Sequence, residues 1–352
     1  MKRYLFASLC ILATVFSFRL IGQERPAGKQ AQPPREKKET IDLKQLPVKF
    51  DKDIGAAAAR IGVGRLHQLD ATLVEIPRGG KLEPHKHFAE EMIYIVSGNG
   101  YSLMWTGPAG KKEKYEWREG DLLSPTLNAW HQQFNASPDK PARYLSVTTT
   151  PETENFTHAP AFLTSSDFVF QDRWDKAIVQ QPEYVGNVKV GADTVRMNAG
   201  HLLPDLIHRE MKPQIADALG SESPRNKETG ITIDPEGDMA GNRLIEMEVR
   251  EFTKMGSTSP SHRHLWEVVY VILKGEGHET LQREGEPERQ FDWKGGDAFV
   301  VEAMEYHNHV PLRPGARFLQ IKGSGYFRRV GIDKFLFQNK PKNGETPKFR
   351  ED

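Results

Sequence analysis

The chain is almost without cysteine: Cys10 is the only one in 352 residues. A disulfide framework and a thiolate metal site are therefore excluded. Charge of one sign is also missing, since basic and acidic residues balance at a formal net charge of zero. No basic stripe interleaved with aromatics occurs, so nucleic acid is not an expected partner. Hydrophobic content of 38% and charged content of 27% fit an ordinary globular protein rather than a disordered or spanning one.

The longest apolar run, Tyr4 to Phe18, follows Lys2 and Arg3 and precedes Arg19-Leu-Ile-Gly22. A charged start and a short apolar run read as a secretory signal over residues 1–22, with an uncleaved N-terminal anchor as the alternative. Its loss would leave 45 basic against 48 acidic groups, a net of −3, and no thiol. Any metal would then be held by histidine and carboxylate alone. The expected location is the periplasm or the exterior, with no stable membrane span after cleavage.

Residues 23–45 are rich in Pro, Lys and Gln and read as a mobile tether. Beyond Leu46 short apolar runs alternate with Gly, Pro and Asn about every ten residues. Strands are predicted at Ala71–Ile76, Met92–Val96, Tyr101–Trp105, Asp121–Ser124 and Tyr144–Val147, a rhythm of antiparallel sandwiches and barrels. The pattern then recurs. Tyr115-Glu-Trp-Arg-Glu-Gly-Asp121 matches Phe291-Asp-Trp-Lys-Gly-Gly-Asp297. His85-Lys-His87 matches His262-Arg-His264, and Gly98 and Gly100 match Gly275 and Gly277, at an offset of 177; Gly120 and His131 match Gly296 and His307 at 176. Agreement at one offset across separate landmarks is an internal duplication. Between the copies, Pro204–Met211 is a candidate short helix ended by Pro213, and Ser221–Gly241 reads as loop.

Of 12 histidines, seven fall in the duplicated motifs: His85, His87, His131, His262, His264, His307 and His309. Residues 85, 87 and 91 share parity, so on a strand His85, His87 and Glu91 face one way. One histidine on a strand is most often a surface or satisfied core residue; a repeated pair with a same-face carboxylate and a distant third histidine points to metal. Copy two lacks the carboxylate, because Val268 stands where copy one has Glu91, and parity turns Glu267 to the opposite face unless a bulge intervenes. Copy two therefore offers His262, His264, His307 and, as an added candidate, His309. It reads equally as a purely structural barrel.

Gly79-x5-His85-x-His87-x3-Glu91-x6-Gly98 resembles the first cupin motif, and Gly120-x10-His131-x3-Asn135 is similar to the second, with Asn128 in place of the usual Gly. In copy two, Glu302 and Met304 stand where that motif has Pro and Gly. The resemblance implies an all-β chain of two tandem jelly-roll cupin barrels joined by a loop/helix linker. Its domains would be 46–175 (barrel 1), 176–240 (linker) and 241–340 (barrel 2), with a flexible tail over 341–352. It also implies a divalent transition metal, iron foremost and Mn, Ni, Cu or Zn as alternatives, held by His85, His87, Glu91 and His131, with His262, His264 and His307 as the second set. Trp130 before His131 resembles the gentisate dioxygenase branch, whereas three histidines with a glutamate resemble quercetin dioxygenases and oxalate decarboxylases. The expected function is dioxygenation of a small oxygenated, aromatic substrate. Lyase or isomerase chemistry on small carboxylates or sugars, and a non-enzymatic ligand-binding role, are the alternatives. Homo-oligomerisation stays open. Trp130, Tyr94 and Trp105 are expected in the core, with the lining of an aromatic pocket as the alternative; Arg143 and Lys322 are expected in solvent, with a substrate carboxylate as the alternative partner; His158, His201 and His208 are expected outside any site.

Overall fold

The computed structural model describes residues 39–179, 186–190, 193–197, 200–211, 230–259, 261–332 and 338–340; the expected signal lies outside them, as do most of the expected tether and the expected tail. The fold is all-β and jelly-roll. Four antiparallel sheets make two barrels. In barrel 1 a seven-stranded sheet runs in the order Leu202–Leu203, Leu122–Leu123, Glu91–Ser97, Ala142–Thr148, Asp70–Ile76, Ala56–Ile61 and Lys49–Asp51. Facing it is a three-stranded sheet of Glu113–Arg118, Asn99–Trp105 and Trp130–Asn135. Barrel 2 repeats the plan with six strands, Ile41–Asp42, Asp297–Val301, Val268–Lys274, Ala316–Lys322, Glu246–Phe252 and Ile231–Gly237. Its facing sheet has five: Arg289–Lys294, Glu276–Gln282, Tyr306–Pro311, His262–Arg263 and Gln338–Asn339. Each strand predicted in copy one is present, most of them a residue or two longer.

At the centre of the two large sheets both faces are covered, so Glu91–Ser97 and Val268–Lys274 are buried along almost their whole length rather than alternately. On Glu91–Ser97, Ile93 and Ile95 enter the barrel 1 interior, while Met92, Tyr94 and Val96 face the other way. They meet Val269, Val271 and Leu273 of barrel 2 in one continuous core. Each fully buried aliphatic side chain there contributes about 1.5–3 kcal/mol, so the sheets are joined by apolar burial first.

Polar contacts then fix their register. Glu90 points out of barrel 1 and accepts hydrogen bonds from the backbone N–H of Arg243 (2.8 Å), Leu244 (2.5 Å) and Ile245 (3.1 Å). Its counterpart in barrel 2, Glu267, accepts from His67 (2.7 Å), Gln68 (2.8 Å) and Leu69 (3.1 Å). Glu267 thus belongs to the inter-barrel face, as its parity requires.

The barrels also exchange arms. Ile41–Asp42, ahead of barrel 1, pairs with Asp297–Val301 of barrel 2, and Leu202–Leu203, ahead of barrel 2, pairs with Leu122–Leu123 of barrel 1. One arginine clamps each arm. Arg143 donates to the carbonyls of Leu43, Lys44 and Leu46 and is held by Glu75 at 2.7 Å. Arg317 donates to those of Leu206, Ile207 and Arg209 and is held by Glu251 at 2.8 Å.

These contacts correct several expectations. Residues 41–45, the end of the expected tether, instead form an anchored arm that continues to Leu46. Pro204–Met211 forms turns instead of a helix: Asp205 adopts φ 50°, and Arg317 takes carbonyls that a helix would need. Pro213 lies outside the described residues. Within the expected linker and loop, Ile231–Gly237 is an edge strand of barrel 2, so that barrel starts before residue 241. Arg143 is a structural clamp, not a solvated charge.

Glu90→Ala and Glu267→Ala each strip the acceptor from three inter-barrel N–H groups and should each cost about 3 kcal/mol, read as a lower midpoint in thermal or urea unfolding. Because core and arms are shared, calorimetry of the wild type should show a single unfolding transition. Two resolved transitions, or unmoved midpoints, would contradict this account of the interface.

Candidate metal centres

In barrel 1, His85 and His131 lie opposite each other as bridge partners, and His87 follows on the same face. Their ring centroids are 4.2 Å (His85–His131), 5.1 Å (His87–His131) and 6.1 Å (His85–His87) apart. One nitrogen from each lies within 4.8 Å of the others. The Nδ1 atoms sit 3.0, 2.8 and 3.0 Å from the backbone oxygens of Glu83, Ala89 and Ala129 respectively. A carbonyl only accepts, so each Nδ1 carries the hydrogen and each Nε2 presents its lone pair inward.

Glu91 completes the cluster. Its Oε2 lies 3.2 Å from His87 Nε2 and 3.3 Å from His131 Nε2. Ser146 donates a short hydrogen bond to its Oε1, fixing the rotamer, and Ser124 Oγ donates to its backbone oxygen at 2.6 Å. Burial alone would raise the Glu91 carboxyl; the His131 and His87 imidazoles outweigh it and hold it well below the usual range. Burial, with His131 beside it, pushes His85 down to about 3. Burial acts against His87 too, but its hydrogen bond to Glu91 and that carboxylate's charge lift it above 6.5. Three inward lone pairs and a carboxylate repel one another unless a cation sits among them. A proton on His87 is one such cation and a divalent metal is the other, so these donors fit a metal.

In barrel 2, His262 pairs with His307, and His264 faces the same way. Centroids are 4.3 Å (His262–His307), 4.8 Å (His264–His307) and 5.9 Å (His262–His264) apart, again with one nitrogen each inside 4.8 Å. His264 Nδ1 meets the Trp266 oxygen at 2.8 Å and His307 Nδ1 that of Glu305 at 3.0 Å. These are the carbonyls two residues away, the same offsets as for His87 and His131. His307 Nε2 is buried with no hydrogen-bond partner, the mark of a donor shaped for something other than protein. Burial pushes His307 down to about 4 and His264 well below 6.5. Val268 supplies no fourth donor. His309 turns instead to Glu279 at 2.7 Å, both fully buried.

The two mouths differ. The His87 side chain is 20% exposed, whereas His264 is buried and the strand Gln338–Asn339 runs beside His262. Barrel 1 carries the helices Thr150–Thr157, Phe162–Ser165 and Gln171–Val179. Phe88 N–H donates to the Leu163 oxygen at 2.6 Å, and its ring packs on Phe162 and Phe170, which meets Phe168. Asn128 binds the Ser166 and Phe168 oxygens from φ 59°, and Met304, its counterpart, sits at φ 62°. Both keep the left-handed turn that the family motif gives to glycine.

Tyr94 lies in the inter-barrel core as expected. Trp105, buried as expected, stacks at 6.0 Å on the half-buried Trp130, on the face of the small sheet opposite in parity to His131. His201 is buried between Tyr115 and Trp174 with Nδ1 2.9 Å from the Ser124 oxygen, a packing role. Lys322 corrects the expectation of a solvated charge: it is buried and lies 2.8 Å from Glu248. No sequence signal short of the pairing register would have found it.

Residues 72–148 match a family described as "Cupin domain". Among solved structures, the chain is similar to a mutant salicylate 1,2-dioxygenase of Pseudoaminobacter salicylatoxidans in complex with gentisate. Identity is 11% over 92% of this chain and 90% of that one, with a TM-score of 0.54. A second structure of that mutant gives 13%, 82%, 81% and 0.54. An oxalate decarboxylase of B. subtilis gives 13% over 83% and 78%, with a TM-score of 0.49. No curated protein sequence matches. At such identities the likeness is one of fold.

The first centre makes two solution predictions. Ser146→Ala frees the Glu91 rotamer and should weaken divalent-metal affinity roughly ten-fold, measured by titration calorimetry. Because the Glu91 hydrogen bond and charge raise the His87 pKa against burial, the protonated imidazole is favoured, so metal binding there should release a proton and tighten as pH rises. Calorimetry in buffers of different ionisation heats reads the proton count; no release would contradict the His87–Glu91 assignment.

Proposed function

We propose that this chain, a bicupin in fold, is an exported metal-dependent dioxygenase that acts on a small oxygenated aromatic substrate at barrel 1. The observation that carries the reading is the convergence of His85, His87, His131 and Glu91 behind a mouth open at His87, four donors that leave further positions for substrate. A divalent metal held there, iron first among those the donors suit, would supply Lewis acidity toward substrate oxygens and electrons toward dioxygen.

The chain's own residues do the rest. Backbone carbonyls of Glu83, Ala89 and Ala129 aim the three imidazoles, and Ser146 keeps Glu91 turned toward them. The Phe88, Phe162, Phe168 and Phe170 rings beside the His87 loop offer an apolar, aromatic approach, which supports an aromatic substrate. Enclosure by the barrel walls limits water around the reacting group. The charged start and apolar run of residues 1–22 support export, which N-terminal sequencing of the mature protein would check.

Elemental analysis of the purified protein should find about one first-row transition metal per chain in barrel 1, lost in His87→Ala. An oxygen electrode with a panel of hydroxylated aromatic acids should record stoichiometric dioxygen uptake with at least one member. Turnover without uptake would move the protein to the lyase class, and a wild type purified metal-free without chelator would overturn the reading.

A further inference from the structure

Each barrel reaches into the other at the turn that aims its third histidine. In barrel 1 that turn spans residues 124–129 and touches three of the four metal donors. Ser124 Oγ donates to the Glu91 backbone oxygen at 2.6 Å, and the Asn128 N–H to that of His87 at 3.2 Å. The Ala129 oxygen accepts from His131 Nδ1 at 3.0 Å. Barrel 2 repeats the plan over residues 300–305. There the Met304 N–H donates to the His264 oxygen at 2.7 Å, and the Glu305 oxygen accepts from His307 Nδ1 at 3.0 Å.

The side chains that grip these turns come from the opposite barrel. Gly62–Arg65 of barrel 1 and Met239–Asn242 of barrel 2 are equivalent turns at the offset of 177. Each is closed by a 2.9 Å bond from its last N–H to its first oxygen. Asn242, fully buried, directs its amide nitrogen to Ser124 Oγ at 2.9 Å and to the Pro125 oxygen at 3.2 Å. A carbonyl only accepts, so the nitrogen must be the atom that faces the turn. Ser124 spends its one hydrogen on Glu91 and therefore accepts from Asn242, which links barrel 2 to a barrel 1 donor in two bonds. Arg65, also buried, forks to the Val300 oxygen at 2.9 Å, to Glu302 at 3.0 Å and to Glu305 at 3.3 Å. One turn thus carries two different side chains to the same task.

We propose that Asn242 and Arg65 are positioning residues, each for the metal centre of the barrel it does not belong to. The proposal rests on the reading of both triads as metal centres. An outer partner that fixes the orientation of a ligand also sets its affinity for metal, and here that partner lies across the barrel interface. Neither barrel finishes its centre alone.

The test uses the full-length protein stripped of metal. Cobalt(II) affinity is measured by titration calorimetry in a His264→Ala background for the barrel 1 centre and a His87→Ala background for the barrel 2 centre. Asn242→Ala should weaken the barrel 1 centre roughly ten-fold and leave the barrel 2 centre unchanged. Arg65→Lys, which keeps the charge but not the fork, should do the reverse. In the metal-free wild-type background, proton NMR of the buried imidazole N–H groups should show His131 displaced by Asn242→Ala alone and His307 by Arg65→Lys alone. If Asn242→Ala does not fold, Asn242→Ser takes its place, since one hydroxyl hydrogen cannot serve both Ser124 and Pro125. Lower unfolding midpoints with both affinities and both resonances unmoved would mean that these contacts serve the interface only, and would overturn the proposal. Equal losses at both centres would overturn it too. A wild type that takes up no cobalt would instead overturn the metal reading, and the two imidazole resonances would then decide the positioning roles.

Discussion

Neighbouring residues on a β-strand point to opposite faces, and at Glu90–Glu91 that constraint divides the molecule's two tasks. Glu91 turns inward to meet His87 and His131. Glu90 turns outward to hold three backbone N–H groups of the other barrel. Position and chemistry are therefore set by a single strand entry, and a slip of one residue would lose both. The second copy shows which task survives alone. Glu267 keeps the outward role on His67, Gln68 and Leu69, while Val268 gives up the inward one. The scaffold is symmetric and the interiors are not.

What could be read from the sequence was what is local and periodic. The strands and the duplication depend on spacing along one chain; His85, His87 and Glu91 do come together, but not on one strand, since His85 is an isolated bridge residue and the chain bends at residues 88–89 before Glu91 opens its strand. The turn at Asn128 shows how far this goes: the glycine of the family motif is absent, yet φ 59° is kept by a residue type that tolerates it. Fold and duplication were legible for the same reason, since a barrel strand buried on both faces leaves an apolar run flanked by turn residues.

What could not be read depends on partners distant in sequence. The arm Ile41-Asp-Leu-Lys-Gln-Leu46 follows a Lys- and Pro-rich stretch and is too short to show a strand period, so it looks like tether until Arg143 and the strand Asp297–Val301 give its backbone somewhere to bond. The same holds for Leu202–Arg209, whose carbonyls are taken by Arg317. Glu75 and Glu251 orient the two guanidinium groups from equivalent positions, so the arms belong to the duplication although their sequences barely agree. A backbone clamp constrains few side chains and leaves little trace. Lys322 failed for a different reason: a lysine near a strand end is ordinarily solvated, and it is Glu248 across the sheet that helps make its burial tolerable.

That burial bears on which barrel has room for chemistry. A buried lysine is costly unless a carboxylate stays beside it, so Glu248 is committed to Lys322 and Arg250 and cannot serve as a metal donor in place of Glu91. Barrel 1 carries no such commitment. Its interior near the triad carries the hydroxyls of Thr72, Ser146 and Thr148; Ser146 donates to one Glu91 oxygen, and the other is left to the histidines. The half-open mouth at His87 then gives that carboxylate-bearing centre access to solvent, while the all-histidine centre is buried, with the Gln338–Asn339 strand paired beside His262. The two centres differ in their donors because position 91 is glutamate and its counterpart 268 is valine, while the neighbouring pair, Glu90 and Glu267, holds the barrels together.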